Sequence, residues 1–476
     1  MTYPSPQHLA FDLGASSGRA LLGALEGGRL RMEEVHRFET PLVEDGARLY
    51  WDLEALEREL REGLHRAMQA SADLKSLSVD AWGVDYVPLD GDGRPIRNPY
   101  CYRDPRTHGV MDEALERVPP EEIYATTGVQ FMPINTLYQV LADLRMEPER
   151  VARTAQRLPM ADYFHYRFCG RPVAELSMAS TTQLMDVRTH RWAADLMERF
   201  GIDPATWPEI VPPGTRLGPL VMEGRQLDIE IVAGCSHDTA CAVAATPAAS
   251  DGPPWAYISC GTWSLLGVER PDPILTDAAR AAGFTNEIGL DGTVRFLKNL
   301  TGLWVLQECE RAWEAEGQRF DYDTLQREAA EAASLGTVDL DEPRFLERGR
   351  MPAKLQDYCR EHGQPVPRAR GEFVRLVLES LAADYRDKLN LLEGVLDERI
   401  ETIHRVGGGS RNELLCQWTA DATGRRVVAG PVEATAMGNL LIQARTMGEL
   451  PEGTSIRDVV RASAELRTYE PAEVAT

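Results

Sequence analysis

The sequence predicts an α/β protein of two related domains with a cleft between them. Three observations carry that expectation. A strand, a small-residue turn and a second strand open the chain over residues 8–25 and recur over residues 255–268. Between them, Pro247, Gly252, Pro253 and Pro254 interrupt the periodic pattern and mark a domain boundary. Each half then continues into a helix with one apolar face and a returning strand. The order of elements repeats, although the halves share no strict sequence period.

In the first half, residues 8–13 read as a strand running into Gly14–Ala15–Ser16–Ser17–Gly18. Residues 20–25 and 30–38 flank Gly27–Gly28 as a hairpin. Asp52 is placed to cap a helix that aligns Leu53, Leu56, Leu60, Leu64 and Met68 on one face. Residues 77–80 return as a strand, and Asp90–Gly91–Asp92–Gly93 is a turn after residues 84–89. In the second half, strand 255–259 meets the turn Cys260–Gly261–Thr262 and strand 263–268. An amphipathic helix over about 373–392 precedes strand 400–406, the run Gly407–Gly408–Gly409 and a helix over about 412–422.

Composition bounds the function. The chain has 476 residues, 43% hydrophobic and 26% charged, which excludes collagen-like, low-complexity and disordered classes. A net charge of −23 repels a phosphate backbone, so broad nucleic-acid or anionic-membrane binding is not expected. A nucleotide can still be held locally by backbone N–H groups and a magnesium ion. Only four of the 51 basic residues are lysines, Lys75, Lys298, Lys354 and Lys388, and none follows a glycine. The Gly-Lys core of a Walker A loop is therefore absent. Eight cysteines without a CxxC or zinc spacing read as reduced thiols of a cytoplasmic protein. Residues 1–9 carry no basic region followed by an apolar stretch, so no secretory signal is expected, and no apolar run suits a membrane span.

Four small-residue turns could carry chemistry. In Asp12–Leu13–Gly14–Ala15–Ser16–Ser17–Gly18–Arg19, two glycines and two serines can face phosphate oxygens, and Asp12 could hold magnesium directly or through water. The same residues serve equally as an ordinary hairpin turn. In Gly234–Cys235–Ser236–His237–Asp238–Thr239, Asp238 falls in the first turn of a small-residue helix, where a carboxylate stays ionised and can accept a hydroxyl proton during phosphoryl transfer. Plain helix capping by Ser236 or Asp238 is the competing account. Adjacent Ser236, His237 and Asp238 cannot form a hydrolase triad on one turn. Ser259–Cys260–Gly261–Thr262 and Gly407–Gly408–Gly409–Ser410 are further turns that let backbone approach a nucleotide, or simply turn the chain. Trp82–Gly83–Val84–Asp85–Tyr86 and Lys298–Asn299, each placed after a strand, suit a polyol, with core packing the alternative for the tryptophans.

Taken together these blocks resemble the FGGY carbohydrate kinases. They are FDLGASSGR (11–19), SVDAWGVDY (78–86), YCYRDPRT (100–107), QFMPINTLYQ (130–139) and SMASTTQL (177–184). SHDTA (236–240), SCGTWSL (259–265), RFLKN (295–299), VGGGSRN (406–412) and AGPVEATAMGN (429–439) complete the set. The resemblance implies two ribonuclease-H-like, actin-like ATPase domains with the active-site cleft between them. It implies residues 1–246 as the N-terminal kinase domain, 255–448 as the ATP-binding C-terminal domain and 449–476 as a tail without an interpretable motif. The implied reaction transfers the γ-phosphoryl group of ATP, with Mg²⁺, to the 1-hydroxyl of L-rhamnulose in L-rhamnose catabolism.

By the same resemblance Asp238 is the catalytic base. Ala15, Ser16, Ser17, Gly18, Arg19, Thr262, Gln307 and Gly408 line the ATP site, and Gly83, His237, Asp238, Thr239 and Asn299 meet the sugar. Asp12 is the magnesium or phosphate aspartate. One departure is Ile288 in Thr285–Asn286–Glu287–Ile288–Gly289, where these kinases often have a second glycine, so fine sugar preference is open. A kinase of xylulose or fuculose is the nearest alternative. A sugar-sensing regulator would need a DNA-binding segment for which few residues precede Asp12, and a chaperone-type ATPase would not need a polyol site. The implied protein is cytoplasmic, a monomer or homodimer, with no nucleic-acid or membrane partner.

Overall fold

A computed structural model describes residues 5–472. The chain packs as two units. One comprises the chain up to Ala245 together with Glu269–Phe296 and Ala434–Ser463. The other comprises Thr246–Val268, Leu297–Glu433 and the chain from Ala464.

The first unit is built on a six-stranded sheet. Its strands lie in the order Arg29–Glu39, Ser17–Glu26, Gln7–Leu13, Leu74–Ala81, Arg225–Ala233 and Thr215–Met222. Gln7–Leu13 and Leu74–Ala81 are central and covered on both faces, so their polar residues His8, Asp12, Ser76, Ser78 and Asp80 are buried along with the apolar ones. Arg29–Glu39 lies at the edge and is mostly exposed, and Gly27–Gly28, both at positive φ, supply the two-residue hairpin.

Helix Leu53–Ala70 covers one face. Asp52 caps it by accepting from Ala55 N at 3.0 Å, and Leu53, Leu56, Leu60 and Leu64 are buried while Met68 is half-buried. Its Gly63 rests on Phe11 and Ala20, where a Cβ would come within 2.7 Å of the Phe11 ring. Helix Ala434–Thr446 packs on Gln7–Leu13, Leu74–Ala81 and the short helix Asp238–Ala244. These late residues join the first unit because their small, apolar faces fit its central strands.

The second unit repeats the topology. Val294–Thr301, Trp263–Arg270, Trp255–Cys260, Thr402–Val406, Arg426–Ala429 and Arg467–Tyr469 follow one another in its sheet. In both sheets the first strand pairs antiparallel with the second and parallel with the strand that returns. In both, a further parallel strand follows, and beyond it an antiparallel edge strand. That recurrence is the doubled α/β fold expected from the order of elements. Helix Arg370–Leu396 packs on Glu413–Thr423, whose N-cap Asn412 accepts from Leu415 N at 2.9 Å.

Two local expectations change. Ser17, Gly18 and Arg19 are not turn residues but the start of strand Ser17–Glu26, paired opposite the end of Gln7–Leu13. Cross-strand pairing overrides the low strand preference of that polar stretch. Lys298 and Asn299 lie within strand Val294–Thr301 rather than after it, because the flanking Phe296, Leu297 and Leu300 are buried on the sheet. The chain from residue 449 contributes helix Ile456–Ser463 to the first unit and edge strand Arg467–Tyr469 to the second.

Two glycines separate packing from propensity. A Cβ on Gly438 would fall 2.0 Å from the Cys241 carbonyl oxygen, whereas one on the exposed helical Gly394 meets nothing within 4 Å. Gly438→Ala is expected to destabilise by about 3 kcal/mol and to lower the thermal midpoint. Gly394→Ala is expected to stabilise by about 0.5–1 kcal/mol in the same measurement. Equal midpoints for the two variants would contradict the close approach of the helices.

Candidate active site

In the first unit, three parallel strands end at one edge of the sheet. Gln7–Leu13 runs into Gly14–Ser16, Leu74–Ala81 into Trp82–Gly83, and Arg225–Ala233 into Gly234–His237. Ala81 N donates to Ser236 O at 2.9 Å, and Ala81 bridges to His237 in the parallel sense. Three of the motifs singled out in the sequence therefore share the carboxyl ends of the strands, the edge where open α/β sheets bind ligands.

At the first strand end, Gly14 N donates to Ser17 O at 3.0 Å and Thr40 Oγ1 donates to Gly14 O at 2.7 Å, leaving Ser16 exposed. Arg19 Nη2 donates to Asp12 Oδ2 at 2.5 Å. The register places Asp80 beside Asp12 on the neighbouring strand. Burial, and then the Asp12 carboxylate, push the Asp80 carboxyl well above its usual range. The Asn439 Nδ2 that donates to its Oδ2 at 2.6 Å acts in the other direction, and Asp238 adds to the rise. Asp80 Oδ1 has no hydrogen-bond partner among the described residues.

At the third strand end, a second layer of buried acids holds the backbone. Glu175 accepts from Ser236 N at 2.8 Å, from Ser177 N at 2.9 Å and from Ser177 Oγ at 2.5 Å. Ser236 Oγ donates to Asp162 Oδ1 at 2.7 Å, and His237 N donates to Ser177 Oγ at 3.2 Å. Burial, with Asp162 beside it, raises the Glu175 carboxyl to about 7. Asp238 opens helix Asp238–Ala244 and its Oδ1 accepts from Thr239 N at 2.5 Å. Neither Ser236 nor Asp238 is the N-cap; His237 holds that position and makes no capping bond with its side chain. The Asp238 side chain is 29% exposed, enough for a substrate hydroxyl to reach it. His237 lies between two carboxylates, with Nε2 3.3 Å from Asp238 Oδ1 and Nδ1 3.3 Å from Glu287 Oε2.

At the second strand end, Val84 has φ +67°, a strained value for a β-branched residue. Thr181 Oγ1 accepts from Val84 N at 3.1 Å, and Val84 O accepts from Thr136 Oγ1 at 2.6 Å. A Cβ on Gly83 would come within 3.1 Å of Thr181, so the loop lies flat on that residue. Behind it, Asp85 gathers Trp51 Nε1 at 2.6 Å, Trp82 Nε1 at 3.0 Å, Tyr102 N at 3.2 Å and Gln139 Nε2 at 2.9 Å. Burial still pushes Asp85 up to about 6 against those donors.

The second unit gathers the remaining turns. Gly261 N donates to Trp263 O at 2.8 Å, and Thr262 Oγ1 donates to Gln307 Oε1 at 3.1 Å. Gly407 has φ +83° and Gly409 lies against Cys260, so the turns after two adjacent parallel strands touch. A Cβ on Gly408 would meet nothing within 4 Å, so that backbone is open to a flat ligand.

Residues 7–245 match the FGGY family of carbohydrate kinases, N-terminal domain, and residues 256–447 match the C-terminal domain of the same family. The chain belongs to this family. It is 40% identical to a rhamnulokinase of Bacteroides thetaiotaomicron over 472 residues, 98% of this chain and 96% of that protein. A rhamnulokinase of Halalkalibacterium halodurans is 38% identical over 98% of this chain and 99% of its own. Among solved structures, a ligand-bound xylulose kinase from Lactobacillus acidophilus superposes with a TM-score of 0.79 at 15% identity, covering 99% of this chain and 94% of that one. The protein is an FGGY carbohydrate kinase with the two-domain, actin-like α/β fold, and ATP is its co-substrate.

Within this FGGY kinase, Asp12, Ala15, Ser16, Ser17, Gly18, Arg19, Gly83, His237, Asp238 and Thr239 all lie in the first unit. Thr262, Asn299, Gln307 and Gly408 lie in the second, which brings Thr262 and Gln307 into direct contact. Ile288 does not face the acids: its side chain packs among Leu176, Ala179, Met185 and Val187 while Glu287 points the other way. The residues that sequence reasoning missed are Asp80, Asp162, Glu175, Glu287 and Arg295. An acid inside an apolar strand, as in Leu77–Ser78–Val79–Asp80–Ala81, was the available signal for Asp80. Asp12 fits the one or two carboxylates that Mg²⁺ takes beside phosphate oxygens, whereas Asp80 lies fully buried beside it with its carboxyl raised. No group of three or more His, Cys, Asp or Glu side chains forms a metal cage among the described residues.

The raised Glu175 carboxyl has a consequence for stability. The folded chain keeps that proton up to about pH 7, while an unfolded glutamate releases it near 4.5. Its contribution is therefore complete below about pH 4.5 and is lost as pH rises through 7. The loss is on the order of 3 kcal/mol. Denaturant midpoints measured from pH 5 to 8 are expected to fall less in Glu175→Gln than in the wild type; parallel pH profiles would contradict the assignment.

Proposed function

We propose that this protein transfers the γ-phosphoryl group of ATP to the 1-hydroxyl of L-rhamnulose, giving L-rhamnulose 1-phosphate and ADP, in L-rhamnose catabolism. The near full-length likeness to proteins named rhamnulokinase carries the choice of sugar. Residues 1–246 supply the phosphate turn, the base and most of the sugar site, and residues 255–448 supply Asn299 and most of the ATP site; residues 449–476, expected as a tail, contribute a helix and an edge strand. Gly83, His237, Asp238, Thr239 and Asn299 hold the sugar, and Ala15 to Arg19, Thr262, Gln307 and Gly408 hold ATP.

The hydroxyl oxygen forms its bond to the γ-phosphorus as the bond from that phosphorus to the ADP oxygen breaks. The hydroxyl proton passes to Asp238, whose carboxylate is held by Thr239 N and partly exposed. In a loose transition state that proton leaves late, so placement of Asp238 matters more than a raised pKa. Mg²⁺ supplies charge neutralisation at the phosphates when bound, and Asp12 is the residue that would hold it, through water or phosphate. The exposed Ser16 and the backbone of its turn face the phosphate oxygens.

The protein works in the cytoplasm as a monomer or homodimer, without a nucleic-acid or membrane partner. Its eight free thiols suit a reducing compartment. No helix among the described residues is long and apolar enough to cross a membrane.

The test is ADP release from Mg-ATP across a panel of ketoses, beside Asp238→Asn. L-rhamnulose is expected to give the largest stimulation, and the variant to lower kcat by roughly 10²–10⁴-fold. A larger response to another ketose would overturn the sugar, and none from any ketose would overturn the reaction.

A further inference from the structure

Strand Thr285–Ile288 and residues 294–296 of strand Val294–Thr301 form a hairpin in the first unit. It carries two buried charges with no role so far. Glu287 Oε2 and Arg295 Nη2 stand 3.1 Å apart, and the Arg295 side chain is fully buried. Burial acts to raise the Glu287 carboxyl, but Arg295 and then His237 outweigh it and hold it below its usual value.

Both charges converge on one atom. His237 Nδ1 accepts from Arg295 Nη2 at 3.1 Å, with Glu287 Oε2 3.3 Å away as the counter-charge of that guanidinium, which leaves the protonated Nε2 on the far side of the ring 3.3 Å from Asp238 Oδ1. An imidazole gripped through one nitrogen by a buried ion pair cannot flip or swing without breaking that contact. We infer that Glu287 and Arg295 are positioning residues for the sugar hydroxyl: they fix the His237 ring and, through its Nε2, the carboxylate of Asp238. The inference rests on the roles given to His237 and Asp238 under the proposed function.

The hairpin is itself held in place. Ile288 O accepts from Arg295 Nε at 3.3 Å and Nη2 at 3.2 Å, and Ile288 N donates to Ser180 Oγ at 2.9 Å. A Cβ on Gly289 would lie 3.3 Å from Arg295 Cγ, so the turn closes on the stem of the guanidinium. A hairpin needed only for packing would be as stable or more so with apolar residues at both positions, because desolvating two charges is costly. Arg295 Nη1 also has no hydrogen-bond partner among the described residues, a further cost that packing alone does not explain.

A double-mutant cycle between Glu287→Gln and His237→Asn tests this on whichever ketose the wild type phosphorylates. Glu287→Gln alone is expected to lower kcat/KM for the ketose on the order of tenfold, with KM for ATP unchanged. Added to His237→Asn, it is expected to cost less than about twofold, because its effect passes through the ring. Equal losses in both backgrounds, or none in the first, would overturn the inference. Arg295→Lys, which keeps the charge but loses the fork, is the second arm with the same expectations should Glu287→Gln fail to fold. If no ketose is phosphorylated, the proposed function falls, and positioning is read from the His237 ring signals of the sugar-free protein by NMR. One sharp set in the wild type that broadens or doubles in the Glu287 or Arg295 variant supports the grip; an unchanged set refutes it.

Discussion

Parallel pairing of Leu74–Ala81 with Gln7–Leu13 is the constraint on which the candidate site depends. It places Asp80 beside Asp12 and brings Gly83 to the same sheet edge as the Gly14–Ser16 turn. Ala81 then passes the register on, through its bond to Ser236 O, to the loop that carries His237 and Asp238. A one-residue slip would invert the strand and turn Asp80 to the opposite face. Buried side-chain pairs oppose such a slip: Ser76 Oγ bonds Gln443 at 2.6 Å, Gln443 Nε2 donates to Leu9 O at 3.0 Å, and Asn439 holds Asp80. A helix from the end of the chain thus sets the register of strands from its beginning.

Around that frame the first unit buries more acid than a stable core would choose. Asp80, Asp85 and Glu175 are all raised by burial, and each is nevertheless tied to backbone or side-chain donors that lie against a candidate site residue. Asp85 supports the strained Val84 loop from behind through Trp82, and Glu175 supports Ser236. Their cost falls on folding stability; their effect is to tie the loops at the strand ends to the core. Burial first, and then the neighbouring Asp12 carboxylate, disfavour ionisation of Asp80.

Much of this was legible in the residues. The strand–turn–strand blocks, the Asp52 cap, the Asn412–Glu413 helix start and Asp238 at the head of a small-residue helix follow from local patterns and appear in the structure. What local pattern cannot convey is which distant segment completes a site. Glu175 before Leu176 reads as a turn or cap, and it is one; only tertiary packing adds Ser236 N to its ligands. Glu287 and Arg295 sit in short strands whose alternation shows burial but not the histidine they meet. Likewise nothing in residues 434–463 announces that they return to the first unit, because small apolar helices fit many sheets.

The two units use one topology for opposite chemistry. At the carboxyl ends of its parallel strands the first unit places Asp12, Asp80 and Asp238; the second places Thr262 and the glycines from Gly407 to Gly409. Arg19, paired with Asp12, offsets one of those charges. The second unit removes side chains instead: a Cβ on Gly408 would meet nothing within 4 Å, so its backbone lies open. Duplicated strands thus supply a common edge, and the residues set on each edge give it a different charge and a different surface.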